Sequence, residues 1–83
     1  MTWSKDEIEE ARQSPLAPIL SDRGYEIRSM RGGACLVAEM QGLVVNNSRW
    51  FWKSANLKGN AIDFFMIVEG RTFAEAMDIL KPG

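Results

Sequence analysis

Tyr25-Glu26-Ile27-Arg28-Ser29-Met30-Arg31 alternates apolar and polar side chains and runs straight into Gly32-Gly33. A period of two belongs to a strand buried on one face, and a glycine pair signals a hairpin turn. The stretch therefore reads as a strand entering a tight turn, with 34–39 as the returning strand. Gly42-Leu43-Val44-Val45 supplies a short third strand. Asn46-Asn47-Ser48 turns the chain again, because asparagine tolerates left-handed dihedrals. Arg49-Trp50-Phe51-Trp52-Lys53 follows as a fourth strand, its aromatic content favouring a pleated surface. The expectation for 24–54 is an antiparallel meander of three or four strands.

Helices flank this meander on both sides. Ser4-Lys5-Asp6-Glu7 is a capping-box pattern, in which the serine and glutamate side chains satisfy each other's backbone amides. It opens a helix over 5–13, whose early acids suit the positive end of the helix dipole. Ser14-Pro15 breaks that helix, since the residue before proline resists the α region. Leu16, Ile19 and Leu20 then carry a second helix, closed by Gly24. Beyond the meander, 54–59 reads as a polar loop and Asn60 as the N-cap of a helix over 61–68. In that helix Ile62, Phe65, Met66 and Glu69 fall at helical intervals, and Gly70 ends it. Thr72-Phe73-Ala74-Glu75 is a second capping box, opening a final helix through Ala76, Met77, Ile79 and Leu80 that Pro82-Gly83 stops.

The order helix, helix, meander, helix, helix defines an α+β class with the helices packed on one face of the sheet. The other face is left open to solvent or to a partner. We expect a single domain over 1–83, with a helical part at 1–23, the meander at 24–54 and C-terminal helices at 60–80.

Composition narrows the function. The chain has 83 residues, is 46% hydrophobic and 25% charged, and carries a net charge of −1. This is ordinary globular composition, without bulk basicity to announce nucleic acid. The charges are nonetheless unevenly spread. Residues 1–23 hold Asp6, Glu7, Glu9, Glu10 and Asp22 against Lys5, Arg12 and Arg23, while seven of the ten Lys and Arg lie from position 24 onward. Cys35 is the sole cysteine and histidine is absent. No internal disulfide can form, and a Cys/His zinc site lacks its ligands. Nor is there a carboxylate-rich loop for calcium or magnesium. We expect no metal and no cofactor. No stretch approaches the roughly 20 apolar residues of a membrane span, and the N-terminus lacks an apolar signal core. A cytoplasmic location follows as the default. Without histidine, a Ser-Lys motif or an activated thiol, the chain reads as a binding module and not an enzyme.

The aromatic strand is the most informative stretch for binding. Alternation places Trp50 and Trp52 on one face and Arg49, Phe51 and Lys53 on the other. A ring between two cations suits single-stranded nucleic acid, the ring stacking a base and the cations tracking phosphates. Arg28, Arg31 and Lys58 extend this candidate surface. The competing reading makes all three aromatics structural, with Phe51 packed beneath a helix. Lys58-Gly59-Asn60-Ala61-Ile62-Asp63-Phe64 opens a helix whose amides could meet a phosphate. An Asn60 cap, a Gly59 turn and Asp63 facing the helix dipole explain the same residues more simply.

Three segments together carry a resemblance: Arg49-Trp50-Phe51-Trp52-Lys53, then Lys58-Gly59-Asn60-Ala61-Ile62-Asp63-Phe64-Phe65-Met66, then Glu69-Gly70-Arg71-Thr72-Phe73-Ala74-Glu75-Ala76. In order and spacing they resemble the C-terminal half of the CHC-type zinc-binding domain of bacterial primases. The likeness is to a degenerate branch that precedes Toprim primase-like domains in proteins of plasmids and other mobile elements. There a tryptophan-rich strand replaces cysteine, and an upstream pattern resembles Gly24-Tyr25-Glu26-Ile27. The family's last two zinc cysteines would fall near Trp52 and Ala55, and Cys35 aligns with neither member of the earlier pair. The resemblance thus implies a zinc-ribbon-like primase domain without metal, in which Trp50 and Trp52 replace the zinc cross-link by packing. It also implies an accessory role in DNA replication or mobilisation. Such a domain contacts single-stranded DNA template beside a Toprim or primase catalytic domain, which would lie on another polypeptide or on a missing C-terminal part, the ending at Lys81-Pro82-Gly83 fitting a domain cut from a longer protein. The rival expectation is a protein-interaction or purely structural module that has lost DNA binding with zinc. That rival predicts an exposed apolar patch on the sheet or around Phe64, Phe65 and Met66.

Overall fold

Side-chain caps set three of the helix starts in the computed structural model, which describes residues 2–81. Ser4 Oγ accepts from the Glu7 amide at 3.1 Å and Glu7 returns a carboxylate oxygen to the Ser4 amide at 2.9 Å, opening α1 (Lys5–Arg12). Asn60 and Asp63 cap each other in the same way at 3.0 and 3.2 Å, opening α3 (Ala61–Asp63). Thr72 and Glu75 do so at 2.9 and 3.2 Å, opening α4 (Phe73–Leu80). The remaining helix, α2 (Leu16–Asp22), follows Pro15; its first amide, on Leu16, donates to the Asn47 carbonyl at 2.8 Å. The stop expected from Pro82-Gly83 lies outside the described residues.

Between the helix pairs the chain forms one antiparallel sheet in the order β1-β2-β3-β4-β5. Its strands are β1 (Ile27–Ser29), β2 (Ala34–Val37), β3 (Leu43–Asn46), β4 (Arg49–Trp52) and β5 (Leu57–Gly59). Gly32 and Gly33 make the first connection with φ of 75° and 80°, and Asn47, with φ of 56°, makes the β3–β4 turn.

The α+β class is therefore the one expected, but two local expectations are corrected. The meander has five strands, because 54–59 is not wholly loop. After a 3-10 turn at Lys53–Ala55 and a left-handed Asn56 (φ 55°), Leu57–Gly59 pairs with β4. Three residues ending in glycine are too few to display a period, so only the free edge of β4 reveals this strand. The helix expected over 61–68 is α only to Asp63 and then widens into a π turn, Phe64–Val68. There the Glu69 amide donates five residues back, to the Phe64 carbonyl. The wider turn brings Phe64 and Phe65 inward together and leaves Met66 and Ile67 exposed.

All four helices cover one side of the sheet. Val37, Leu43, Val45 and Trp50 pack there with Leu16, Leu20, Phe64, Phe65 and Met77, all buried. Trp50 meets Phe64 edge-on at 5.8 Å, and Phe64 meets Phe65 at 5.2 Å, arrangements that aromatic quadrupoles favour. At the rim of this layer the Tyr25 hydroxyl donates to Glu69 at 2.8 Å, and Arg71 and Arg23 reach the same carboxylate at 2.5 and 3.5 Å. This cluster ties the start of the sheet to the end of the π turn.

Candidate nucleic-acid interface

Strand register decides which side chains share the uncovered face. Arg28 opposes Leu36, Leu36 opposes Val44, Val44 opposes Phe51, and Phe51 opposes Lys58. One continuous row thus crosses all five strands, with a cation at each edge and apolar side chains between. A parallel row places Ala34, Asn46 and Arg49 side by side. Phe51 is 44% exposed, which rules out its packing beneath a helix.

Arg49, Phe51 and Lys58 come together around a depression of ≈ 610 Å³, lined also by Val44 and Asn46. Lys53 was expected to share the Phe51 face by alternation, but it begins a 3-10 turn past the end of β4, where strand alternation no longer applies; it is exposed and does not line the depression. Arg28 and Arg31 do not join this group. Arg28 lies on the opposite edge strand, and its guanidinium is held by Glu26 at 2.8 and 2.9 Å. That pairing cancels much of the charge expected of it. Arg31 sits in the β1–β2 connection. Asn46 and Val44 were not among the expected binding residues. Asn46 reads locally as a turn former, yet continuing the β3 alternation from Val44 places it on the open face.

The two indoles occupy the other face, as alternation requires. Trp50 is 3% exposed and donates its Nε1–H to the Asn60 carbonyl at 2.8 Å. Trp52 is half-buried and donates to the Gln41 carbonyl at 3.0 Å. Each indole therefore pins β4 to a neighbouring connection as well as filling space. The segment at 58–64 favours the structural account over a phosphate site, since Asn60 and Asp63 occupy each other's amides. Gly59 is needed for close approach: a Cβ there would stand 2.6 Å from the Asp63 Cβ.

Charge is unevenly divided between segments of the chain. Residues 26–59 carry Arg28, Arg31, Arg49, Lys53 and Lys58 against only Glu26 and Glu39, while the helical segments carry the other nine acids against five cations. Within a near-neutral chain the sheet-bearing segment is thus basic and the helical segments acidic, with Glu9 and Asp63 lying beside Arg49 where the two adjoin. Among the described residues, no group of three or more His, Cys, Asp or Glu side chains could share a metal ion, and no helix is long and apolar enough to cross a membrane. Cys35 pairs in register with Val45 and is half-buried. No family model, curated protein or solved structure matches this chain.

Proposed function

We propose that this chain is a non-catalytic accessory domain that holds single-stranded DNA on the open face of its sheet. The observation that carries the reading is the exposed Phe51 ring set between Arg49 and Lys58 on an otherwise uncovered surface. Residues two apart on a strand are separated by roughly 6–7 Å. Arg49 and Phe51 can therefore present phosphate and base contacts in turn to a ligand lying along β4, with Lys58 beside Phe51 on the neighbouring strand. The apolar row Leu36–Val44–Phe51 would shelter bases, and the basic sheet would draw the backbone in.

The resemblance to the primase zinc-binding domain supports the same reading and supplies its context: a zinc-less relative working beside a Toprim or primase catalytic domain in a plasmid or other mobile element of a bacterium, in the cytoplasm. In this account the indole hydrogen bonds of Trp50 and Trp52 stand in for the lost metal cross-link. The rival, a protein-interaction module, expects an exposed apolar patch on the sheet or around Phe64, Phe65 and Met66. The row Leu36–Val44–Phe51 fits the first alternative, whereas Phe64 and Phe65 are fully buried and leave only Met66 and Ile67 exposed on the π turn; the cations beside Phe51 favour the nucleic-acid reading.

Fluorescence anisotropy with a labelled thymidine oligonucleotide at low salt tests the proposal. Binding is expected, and Phe51→Ala should weaken it by about tenfold with little change in melting temperature, because the ring lies outside the core. Absence of binding at low ionic strength would retire the reading.

A further inference from the structure

The depression beside Phe51 has a polar group on one side that general strand binding does not need. Asn46 lies directly across from Arg49 and diagonally from Phe51, one step along β3 from Val44 on the same face. Diagonal neighbours on a sheet face are about 7 Å apart, within reach of a planar ligand lying over one of them. Asn46 is exposed and lines the depression, so its carboxamide is open to a ligand. The volume of ≈ 610 Å³ is on the scale of the pockets of about 300–1,000 Å³ that hold small ligands.

Resting on the proposal of single-stranded binding, we propose that this depression is a subsite for one unpaired base, with Asn46 as the residue that holds it. A base stacked on Phe51 and flanked by Val44 turns an edge toward the carboxamide. Arg49, adjacent to Asn46, and Lys58, opposite Phe51, lie where the flanking phosphates pass. A carboxamide offers one acceptor and one donor side by side, and adenine presents the complement, an exocyclic N–H beside a ring nitrogen. Every unpaired base exposes such an edge, so Asn46 holds the base and the choice among bases comes from stacking on Phe51. Adenine, a purine, covers more of that ring than thymine, so of the two the subsite prefers adenine.

The test uses three thymidine oligonucleotides that differ at one central position: adenine, thymine or an abasic sugar. Each is titrated against the full chain and against Asn46→Ala and Asn46→Asp. The expected result is tightest binding of the adenine oligonucleotide and weakest of the abasic one. Asn46→Ala should weaken the adenine oligonucleotide by about tenfold and the abasic one least. Asn46→Asp, which keeps the shape but loses the donor and adds a negative charge, should weaken all three. Equal binding of the three oligonucleotides by the natural chain overturns the subsite while leaving strand binding intact. So does a folded Asn46→Ala variant that binds the adenine oligonucleotide as tightly as the natural chain. Failure of every oligonucleotide to bind overturns the parent proposal and this one with it. Melting curves show whether the variants are folded, and a folded Asn46→Ala is expected because its side chain supports nothing in the core.

Discussion

Trp50 and Trp52 share a face of β4 but do different physical jobs. Trp50 is sealed against Phe64, and its indole N–H satisfies the Asn60 carbonyl at the start of α3. Trp52 is half-buried and holds the Gln41 carbonyl in the β2–β3 connection. Trp52→Ala removes apolar burial and a hydrogen bond together, for a cost of about 2–3 kcal/mol. In a domain of this size that lowers the melting temperature by on the order of 10 °C. An unchanged melting curve would end the idea that indoles replace a metal clamp. Gly59 is a second sensitive position for a different reason. Its α-hydrogen faces the Asp63 side chain, and a methyl group there would stand 2.6 Å from the Asp63 Cβ. Gly59→Ala should therefore push Asp63 out of its cap and destabilise the fold by about 1–3 kcal/mol, read as a lower urea midpoint with unchanged slope.

Between elements, the polar cluster of Tyr25, Glu69, Arg71 and Arg23 joins two segments far apart in sequence. Glu69 has a side chain only 10% exposed. Burial alone would raise its carboxyl, but hydrogen bonds from Arg71 and Tyr25 and the nearby guanidinium charges outweigh this and hold it below the ordinary value of 4.5. Tyr25 moves the other way. Burial, and then its hydrogen bond to Glu69, push the phenol up from 10.0 to about 12. The signs differ at the two ends of the pH scale. The Glu69 contribution is present above pH 4.5 and is lost as pH falls through its lower folded value. The Tyr25 contribution is present below pH 10.0 and is lost as pH rises toward about 12, because the unfolded phenol ionises first. Tyr25 is the sole tyrosine, so tyrosinate absorbance reports it alone. The absorbance midpoint should sit near the raised value in the folded chain, and Tyr25→Phe should abolish the alkaline loss of stability. A midpoint at the ordinary value would show the cluster is not formed.

At the scale of the whole molecule, the proposed binding to a polyanion meets a net charge of −1 that is unevenly divided along the chain. The segment 26–59 carries five cations against two acids, although Glu9 and Asp63 of the helical segments lie beside Arg49. If Arg49, Lys53 and Lys58 each neutralise a phosphate, the logarithm of affinity should fall with the logarithm of salt with a slope of about −2. Lys58→Gln should bring that slope nearer zero by about 0.7, whereas Arg28→Gln should barely change it, since Glu26 already compensates Arg28. Equal slope changes for both variants would mean the ligand crosses the whole sheet instead of following β4. Addition of a strong chelator should leave the melting temperature where it is, in keeping with an aromatic in place of a metal cross-link.

Most of the architecture was legible in the chain because it rests on short-range rules. Capping boxes at Ser4 and Thr72, the Asn60 cap, left-handed turn residues and the two-residue alternation of β4 each act within a few positions. They fix where helices begin and which face Trp50 and Phe51 take. What escaped depends on neighbours distant in sequence. Leu57–Gly59 is a strand only because β4 offers it an edge, and the π turn exists because Phe64 and Phe65 both find space in one core. The Glu26–Arg28 pair removes a cation from the expected surface, and strand register gathers Asn46, Arg49, Phe51 and Lys58 around one depression. Local geometry is encoded residue by residue; the company a side chain keeps is decided by pairing and packing across the whole fold.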